Sequence, residues 1–420
     1  MPNFKVSFNL LMISLFSSIV VTQTIAADNI KQDYAITAKK FHQENLLLDS
    51  HMDIALHLTR PDWDILKQHE FSTDFSQVDL PRLRQGGLKG GFWAVYIPQG
   101  ERNSQGNVLA ATQGLAVATQ IQDVARHYPQ DFALALNSEQ VKENLKQGKF
   151  SILLSIENAS PLALAPEKLL PIYHRLGLRM LGFVHFKNND FADSSTDKPE
   201  WHGLSPAGKN LVKQANCLGI ILDVSHASDD VFDQTLLLST APFIASHSSS
   251  KTIYDHPRNL DDERIKKLAA KGGLIQINSY GAYLANSKQS DERKVALGQL
   301  FGSAFKQPEL LTQNKVQELV VQKNEIDIKF PEVNPATIDD FMQHLLHVLK
   351  LVGSKHVGIG MDWDGGGGVT DVEDVSKIVL ISQRLLEQGY SEQDLKNIWG
   401  ENLLRLLEDV ERKSNPNCET

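Results

Sequence analysis

The 420-residue chain has little cysteine and no excess of basic charge. Its two cysteines are too few for a cysteine-built metal cluster or a disulfide-rich small scaffold, so any bound metal must be held by His, Asp or Glu. With 51 acidic against 42 basic residues and a net charge of -9, the chain lacks the surface charge that binds nucleic acid phosphates or anionic lipid. Hydrophobic residues make up 41% of the sequence, which is typical of a globular protein.

The N-terminal apolar run is too short to anchor the chain in a membrane. Within residues 1–26, a positive charge precedes an apolar run from about Leu10 to Val21, and small residues follow. A spanning helix needs about 20 apolar residues, so the pattern predicts a signal peptide over residues 1–26. We expect a soluble, exported protein without a stable membrane anchor, either periplasmic or secreted. Cys217 and Cys418 could oxidise there, but nothing in the sequence brings them together, and two isolated cysteines are the simpler expectation.

About eight short apolar or β-rich runs alternate with segments of helical periodicity. In 115–128, for example, apolar residues recur every three or four positions, as on the buried face of a covering helix. This alternation indicates parallel strand pairing, and no glycine-rich dinucleotide fingerprint follows the first strand. The pattern therefore predicts an α/β fold, a single (β/α)8 TIM-type barrel over residues 27–420, rather than an open doubly wound sheet. The expected strands are 46–51, 90–97, 150–157, 178–185, 219–226, 242–247, 273–278 and 357–362.

Residues able to bind metal lie at the ends of five of these strands. In a parallel barrel the C-terminal ends of all strands open on one face, so side chains distant in sequence converge there. His51 and Asp53 are separated by one residue and share one side of the first strand, where they can bind one ion together. His226 and His247 end consecutive strands and can bind a second ion. Glu157 ends the third strand, and its two carboxylate oxygens can bridge metals about 3.5–4 Å apart.

The eighth strand adds Asp362, which lies beside the first strand because the barrel closes. Asp362 can contact a metal-bound water and move its proton. Glu157 follows an apolar run, and an ionised carboxylate is costly to bury without a partner. Imidazole and carboxylate ligands without thiolate suit zinc, and the ligand types also suit manganese or cobalt. Each residue alone has a purely structural interpretation, but together they predict a centre for two Zn²⁺ ions.

Eight segments, in order and at similar spacing, resemble the membrane (renal) dipeptidase family of zinc dipeptidases, which are amidohydrolase-like barrels. The segments are LLLDSHMDIALHL, ILLSIENAS, LGLRMLGFVHFKNNDFADS, LGIILDVSHAS, PFIASHSSSKTIYDHPRN, LIQINSYGAY, HVGIGMDWDGG and IWGENLLRLLE. The resemblance covers nearly the whole mature chain. It implies that His51 and Asp53 bind one zinc ion, that His226 and His247 bind the other, and that Glu157 bridges them.

The same resemblance implies roles for four further residues. His185 would contact the scissile carbonyl or the tetrahedral intermediate, and Arg258 would bind the terminal carboxylate of the substrate. Asp362 would serve as general acid and base, and Tyr283 would line the pocket. A neutral imidazole can donate to a developing oxyanion, and Arg offers a two-pronged fork to a carboxylate. The resemblance also implies a homodimer.

The function that we expect is an exported zinc metallodipeptidase, in which a hydroxide held between the metals attacks the peptide bond of a dipeptide. Substrates with a C-terminal D-amino acid are included. An N-acyl amino acid deacylase or another binuclear amidohydrolase is the alternative, but those enzymes usually carry His-x-His after the first strand and often a bridging Lys, where this chain has Asp53 and Glu157. The alternative of another class is a non-catalytic exported binding protein, although both Glu157 and Asp362 are present.

Three other features receive structural interpretations. The long, charged stretch at about 285–335 is expected to be an insertion that forms a lid or an oligomer contact. His344 and His347 lie three apart on a predicted helix without a third ligand, and a solvated helix face is the simpler interpretation. The run Gly365–Gly368 lacks the Lys and Ser or Thr of a phosphate-binding loop and is expected to be a flexible rim segment.

Overall fold

The structure is a computed structural model that describes residues 32–287, 289–304, 308–415 and 418. The predicted signal peptide, residues 1–26, lies outside the described residues. The strands are β1 Leu48–Met52, β2 Gly90–Val95, β3 Phe132–Leu134, β4 Phe150–Ile156, β5 Leu178–Gly182, β6 Ile221–Asp223, β7 Ile244–Ser248, β8 Leu274–Ile277 and β9 Val357–Ile359.

Helices follow or precede these strands along the chain. The first is α1, residues 32–44. The others are α2 Ala55–Leu58, α3 Phe71–Asp74, α4 Leu80–Gly86, α5 Ser104–His127, α6 Ser138–Lys146, α7 Pro166–Arg175, α8 Pro206–Leu218, α9 Asp229–Leu238, α10 Asp262–Ala270, α11 Asp291–Ala304, α12 Gln313–Lys329, α13 Ile338–Val352, α14 Val379–Glu387, α15 Glu392–Lys396 and α16 Asn402–Glu411. None of the helices in the described ranges is long and apolar enough to cross a membrane.

Eight parallel strands form a nearly closed barrel in the order β1-β2-β4-β5-β6-β7-β8-β9. The first and last strands approach each other where Met52 pairs with Trp363 and where the Ser50 hydroxyl donates to the Ile359 carbonyl at 3.3 Å. The predicted (β/α)8 barrel is therefore confirmed, and each predicted run overlaps a strand of the barrel. The sequence pattern missed β3, which pairs with β4 outside the barrel order. Three residues are too few to show an alternating pattern.

The N-terminal end of the barrel is closed by the last helix. The first residues of several strands, such as Leu48, Ile244 and Leu274, pack in one buried apolar cluster with Leu406 and Val410 of α16. Short polar caps begin several covering helices; Asn103, for example, accepts a hydrogen bond from the third residue of α5. With one end filled by apolar side chains, the C-terminal ends of the strands are the face that can carry polar chemistry.

The two cysteines form a disulfide, contrary to the expectation of isolated residues. Cys217 lies near the end of α8, and Cys418 follows α16, with Cα atoms 5.8 Å apart. The backbone NH of Asn415 donates to the Cys217 carbonyl at 2.8 Å, which holds the C-terminal segment against α8. The sequence could not predict the pair because 201 positions separate its members and only the packing of α16 brings them together.

The charged stretch at about 285–335 contains α11 and α12. Leu311, Val316 and Leu319 form a small buried apolar cluster there, against which Phe75 and Leu300 pack. This cluster is separate from the barrel core, and Phe75 follows α3 in the connection between the first two strands. The stretch therefore lies on the side of the barrel where that connection runs.

One histidine expected on a solvated helix face is buried. His344 of α13 is fully buried; its Nδ1 accepts a hydrogen bond from the Ser250 NH at 3.0 Å, and its Nε2 donates to the Leu284 carbonyl at 2.9 Å. The prediction for His344 is wrong because the residue lies on the apolar face of α13, where an imidazole is satisfied by two backbone groups. His347 is partly exposed and pairs with Asp262 at 2.8 Å.

Candidate metal centre and active site

The C-terminal end of β1 is fixed to the end of β9 by a buried carboxylate. Asp49 accepts hydrogen bonds from the His51 NH at 2.9 Å and from the Met361 NH at 3.2 Å. Burial raises the pKa of Asp49 to about 7, and these two backbone donors oppose that rise. The bonds set the direction in which His51 and Asp362 leave their strands, so the two side chains reach the same point above the barrel.

The five residues predicted to bind metal meet at one place. The Nε2 of His51 lies 3.3 Å from the Oδ2 of Asp53, and the Nε2 atoms of His226 and His247 lie 2.9 Å apart. Between the two pairs, the Oε1 of Glu157 lies 3.2 Å from the Nε2 of His226 and 3.6 Å from the Nε2 atoms of both His51 and His247. A single carboxylate thus faces both pairs, as the sequence pattern predicted.

Two further predicted residues border this cluster. The Oδ1 of Asp362 lies 4.0 Å from the Nε2 of His51, and the Nε2 of His185 lies 3.5 Å from the Oε1 of Glu157. Three overlapping groups of side chains could each hold a metal ion. They are His51, Glu157 and His247; Glu157, His185 and His226; and His51, Asp53 and Asp362. The structure therefore places every predicted ligand, His185 and Asp362 in one cluster.

The protonation states of this cluster favour a cation. Burial raises the pKa of Glu157 well above its ordinary value, and the nearby Asp53 raises it further. Burial likewise raises the pKa of Asp362 to about 6. Burial opposes charge on His51, yet the carboxylates of Asp53, Glu157 and Asp362 outweigh it and raise the pKa of His51 to about 10. The protein alone must draw protons into the cluster to balance its carboxylates, which is the work that a metal ion does in such sites.

His226 and His247 have the opposite character. Burial lowers the pKa of both imidazoles well below the ordinary value, and the positive charge of Arg258 adds to this effect for each. Both rings are therefore neutral, which is the form that binds metal.

Unpaired polar atoms show that the cluster fits metal ions. Among the described residues, no hydrogen-bond partner is found for either ring nitrogen of His51, for the Oδ1 of Asp53 or for the Nδ1 of His226. Buried polar atoms are rarely left unpaired. The unpaired Nε2 of His51 faces the carboxylates of Asp53 and Glu157, and imidazole nitrogen with carboxylate oxygen is a donor set suited to zinc or a similar divalent ion.

His247 is supported by residues that the sequence analysis did not select. The Oγ of Ser246 lies 2.8 Å from the Nδ1 of His247 and donates to the Oδ2 of Asp223 at 2.5 Å. Because Ser246 uses its proton toward Asp223, it accepts from the Nδ1–H of His247 and leaves the Nε2 free to bind a metal. The hydroxyl of Ser225 accepts from the His247 NH at 3.0 Å. These supporting residues directly precede the predicted ligands: Asp223 and Ser225 lie in the motif DVSH, and Ser246 lies in IASH. Their position in the motifs could have identified them from the sequence.

Arg258 contacts the backbone of His247. The Arg258 guanidinium is buried and donates to the His247 carbonyl at 3.0 Å, and its charged carbon lies 5.3 Å from the ring centroid of Tyr283. The Nε of Arg258 has no hydrogen-bond partner among the described residues. The Asn278 amide reaches the Oδ2 of Asp362 at 3.4 Å. The predicted Arg258 and Tyr283 therefore lie together next to the cluster.

Two aromatic residues that were not predicted flank His185. The ring of Tyr96 lies 4.7 Å from the His185 ring in an edge-on arrangement, and the ring of Phe186 lies 3.9 Å from it on a tilt. Phe186 is 46% exposed although it is a large apolar side chain. Burial raises the pKa of Tyr96, which keeps its hydroxyl protonated. Tyr96 directly follows β2, and this position at a strand end could have indicated from the sequence that it lies near the site.

The sequence profile of the membrane dipeptidases, peptidase family M19, matches residues 36–420. The chain belongs to this family. An uncharacterized dipeptidase of Schizosaccharomyces pombe is 31% identical to this M19 chain over 376 residues, which is 87% of the chain and 81% of the relative. Dipeptidase tcpJ of Claviceps purpurea is 31% identical over 372 residues, 86% of the chain and 76% of the relative. The protein is thus a hydrolase of the M19 dipeptidase type, and its family implies metal ions.

Solved structures show the same fold. The probable dipeptidase PvdM from Pseudomonas aeruginosa superposes with a TM-score of 0.76 at 28% identity, covering 91% of this chain and 100% of the other. A metallopeptidase from Rhodobacter sphaeroides, bound to a phosphinate mimic of the dipeptide L-Ala-D-Ala, superposes with a TM-score of 0.67 at 23% identity, covering 87% and 99%. This chain therefore has the same barrel fold as these two proteins.

Proposed function

We propose that this M19 dipeptidase is a zinc enzyme with two metal ions, one held by His51 and Asp53 and the other by His226 and His247, with Glu157 as the bridging ligand. The position of Glu157 carries the proposal, because its Oε1 lies within 3.6 Å of the Nε2 atoms of all three histidines. Divalent ions held by these residues would lower the pKa of a bound water toward neutrality and would polarise the scissile carbonyl.

Asp362 is the general acid and base of the proposed reaction. Its carboxylate lies beside His51, within reach of the point that the ligands share, and the Asn278 amide supports its Oδ2 at 3.4 Å. Asp362 would take a proton during attack and return it to the leaving amine. A carboxylate of this kind needs a fixed orientation, because proton transfer requires hydrogen-bond distance to both the nucleophile and the leaving group.

His185 stabilises the oxyanion in this proposal. Burial lowers the pKa of His185 to about 3, so that the ring is neutral and keeps one N–H to donate. The Nε2 faces Glu157 at 3.5 Å, which places the donor next to the metal centre. A neutral donor held in a buried site stabilises a charge that develops in the transition state without reorganising water.

Arg258 selects substrates with a free C-terminal carboxylate. Its guanidinium is buried, its Nε is unpaired among the described residues, and the Tyr283 ring lies against it. A buried guanidinium with free donors favours a carboxylate, which it can bind through two parallel hydrogen bonds. Since Arg258 contacts the backbone of His247, the clamp lies close to the scissile bond and limits the substrate to a dipeptide.

Dipeptides with a C-terminal D-residue are part of the proposed substrate range. The support is the similarity of this fold to the Rhodobacter sphaeroides metallopeptidase that binds a phosphinate mimic of L-Ala-D-Ala.

The proposed organisation is an exported, single-barrel enzyme with an insertion at about 285–335. The pattern of residues 1–26 supports export, and so does the disulfide between Cys217 and Cys418, because disulfides persist in oxidising compartments. The homodimer implied by the family resemblance stays a prediction.

Hydrolysis of a panel of free, N-acetylated and C-terminally amidated dipeptides, in L,L and L,D forms, tests the proposal. The purified mature chain is assayed as prepared, after chelation, and after zinc is restored. We expect zinc-dependent cleavage of free dipeptides and none of amidated ones. Cleavage of acylated amino acids alone would favour a deacylase, and no cleavage of any substrate by the metal-loaded protein would favour a binding protein.

A further inference from the structure

The loop that carries Asp362 has an unusual backbone. Asp362 and Asp364 both adopt left-handed conformations, with φ of 65° and 63°. Residues other than glycine rarely adopt this conformation, and it persists at functional sites only when the surrounding structure enforces it. Trp363, between them, is fully buried. Something outside the loop must therefore hold Asp362 in the geometry that places its carboxylate beside His51.

On one side the loop is tied to β1. The NH of Asp53 donates to the Trp363 carbonyl at 2.8 Å, and the NH of Gly367 closes the turn by donating to the Asp362 carbonyl at 2.8 Å. These bonds fix the position of Trp363 and the return of the chain. They leave Asp364 and the outer half of the turn to be held by other residues.

Gln77 holds the other side through four hydrogen bonds. Its NH donates to the Oδ1 of Asp364 at 2.6 Å, and the NH of Asp364 donates to its Oε1 at 2.7 Å. Its Nε2 donates to the carbonyls of Gly367 at 2.7 Å and Glu373 at 2.8 Å. Gln77 is only 2% exposed, so water does not replace these bonds. Both amide N–H donors of the Gln77 side chain and one of the two acceptor sites on its Oε1 are thus bonded to the chain between Asp364 and Glu373.

The segment that carries Gln77 is held by hydrogen bonds of its own. It lies between α3 and α4, where Asp79 caps α4 by accepting from the Arg82 NH. The Arg82 side chain donates to Asp79 at 2.6 Å and to the Ser76 carbonyl at 3.0 Å. His57 adds to the same network, with its Nε2 3.3 Å from the Oδ1 of Asp364. Gln77 therefore fixes the loop that carries Asp362 against the connection between β1 and β2.

We propose that Gln77 is a positioning residue that sets the orientation of the Asp362 carboxylate by holding the turn from Asp364 to Gly367. The inference rests on the proposed role of Asp362. The hydrogen bonds of Gln77 go to Asp364, Gly367 and Glu373, none of which is a proposed metal ligand, so its removal should impair the proton transfer and leave metal binding and substrate affinity in place.

The test compares Gln77→Met with Gln122→Met in the zinc-loaded enzyme. Gln122 of α5 is the matched control, because it is also a buried glutamine whose Nε2 donates to a carbonyl, that of Leu176 at 2.6 Å, and it lies on a covering helix. We expect Gln77→Met to lower kcat on a free dipeptide at least about tenfold, because small misplacements of catalytic groups have effects of this size. KM and metal content should stay within about twofold, and Gln122→Met should keep the wild-type kcat.

A second comparison separates positioning from loss of stability. In the Asp362→Asn background, Gln77→Met should cause no further loss of kcat, because residues that act as one unit are not additive. If Gln77→Met fails to fold, Gln77→Glu replaces it, since a carboxylate keeps the acceptor for the Asp364 NH and loses both amide donors. Unchanged kcat in the Gln77 variant, loss of metal with it, or full additivity with Asp362→Asn would each overturn the inference. Wild-type activity of Asp362→Asn itself would instead overturn the proposed role of Asp362.

Discussion

The Nε2 atoms of His226 and His247 lie 2.9 Å apart, although the residues end different strands. Without an ion this approach is one N–H···N hydrogen bond between neutral imidazoles, and two ligands of one zinc ion, each about 2.0–2.1 Å from it, also approach each other closely. Glu157 lies 3.2 Å from the first of these nitrogens and 3.6 Å from the second. The geometry around this carboxylate leads to the first prediction.

Glu157→Gln is expected to lose metal and activity together. The amide has the shape of the carboxylate but no negative charge, so one neutral oxygen would have to replace the bridge between two cations. We expect zinc content to fall below two ions per chain and kcat to fall by roughly a factor of 10³ or more, since a catalytic metal site contributes several kcal/mol. Metal analysis and dipeptide hydrolysis measure both effects. Glu139→Gln on the surface of α6 serves as the control, and full zinc content in Glu157→Gln would refute the bridging role.

Ser246→Ala should weaken zinc binding without removing a ligand. The variant cuts the connection between Asp223 and the Nδ1 of His247, so the ring loses the partner that fixes its tautomer and direction. Removal of such supporting residues typically lowers metal affinity by about 10–100-fold. Competition with a chromogenic chelator measures the affinity.

The matched control for Ser246→Ala is Ser151→Ala. Ser151 is also a buried strand serine, but its hydroxyl accepts from Asn144 and lies near the start of β4, away from the metal ligands. The control should keep the wild-type zinc affinity. Equal affinity in both variants would show that Ser246 does not orient His247.

The set of candidate metal ligands was predictable because it depends on two simple rules. Side chains two positions apart share a side of a strand, and the C-terminal ends of parallel strands meet on one face. His51, Asp53, Glu157, His226 and His247 follow from these rules once the strands are located. Their convergence within one cluster is what the structure adds.

The contacts of Gln77 and His344 were not predictable, because each joins segments far apart in the chain along paths that the sequence does not specify. Gln77 reaches Asp364 from a segment 287 positions away, and His344 reaches a loop 94 positions away. Gly365 is a related case: a side chain there would collide with the carboxylates of Asp53 and Asp362, so the glycine is required by close packing, which a run of glycines does not reveal. Such relationships depend on tertiary contacts alone.

The Cys217–Cys418 disulfide is expected to stabilise the fold and to have no effect on the chemistry. It links the end of α8 to the segment after α16 with a sequence separation of 201, and neither cysteine belongs to the cluster of candidate metal ligands. Loss of a long-range disulfide typically costs about 2–5 kcal/mol. The double variant Cys217→Ser/Cys418→Ser should therefore unfold at lower urea concentration than the oxidised wild type, at fixed zinc.

Reduction provides the control for this prediction. A reducing agent should lower the stability of the wild type to that of the double variant and leave the variant unchanged, while kcat of the folded enzyme stays the same in all samples. An unchanged unfolding midpoint on loss of the disulfide would contradict the prediction.

His42 is expected to make the fold less stable as the pH falls. The residue is buried in α1, where its Nδ1 donates to the Gly86 carbonyl at 2.7 Å and its Nε2 accepts from the Ser382 hydroxyl at 2.7 Å. The same hydroxyl accepts from the Trp399 indole at 2.7 Å, so a second proton on the ring would face a hydroxyl already oriented toward it. Burial lowers the pKa of His42 to about 4.

The sign of the pH effect follows from the proton balance. In the unfolded chain His42 binds a proton near pH 6.5, so between about pH 6.5 and 4 the unfolded state holds more protons and gains stability relative to the fold. The stability contributed by the neutral ring is present above pH 6.5 and decreases by about 2–3 kcal/mol as the pH falls to 4.

His42→Gln keeps a donor and an acceptor but does not titrate, so its free energy of unfolding should decrease less between pH 7 and pH 5. Urea denaturation of both proteins at fixed zinc measures the difference, with His127→Gln on the exposed end of α5 as a control that keeps the wild-type slope. Parallel slopes for wild type and His42→Gln would show that protonation of His42 does not limit acid stability.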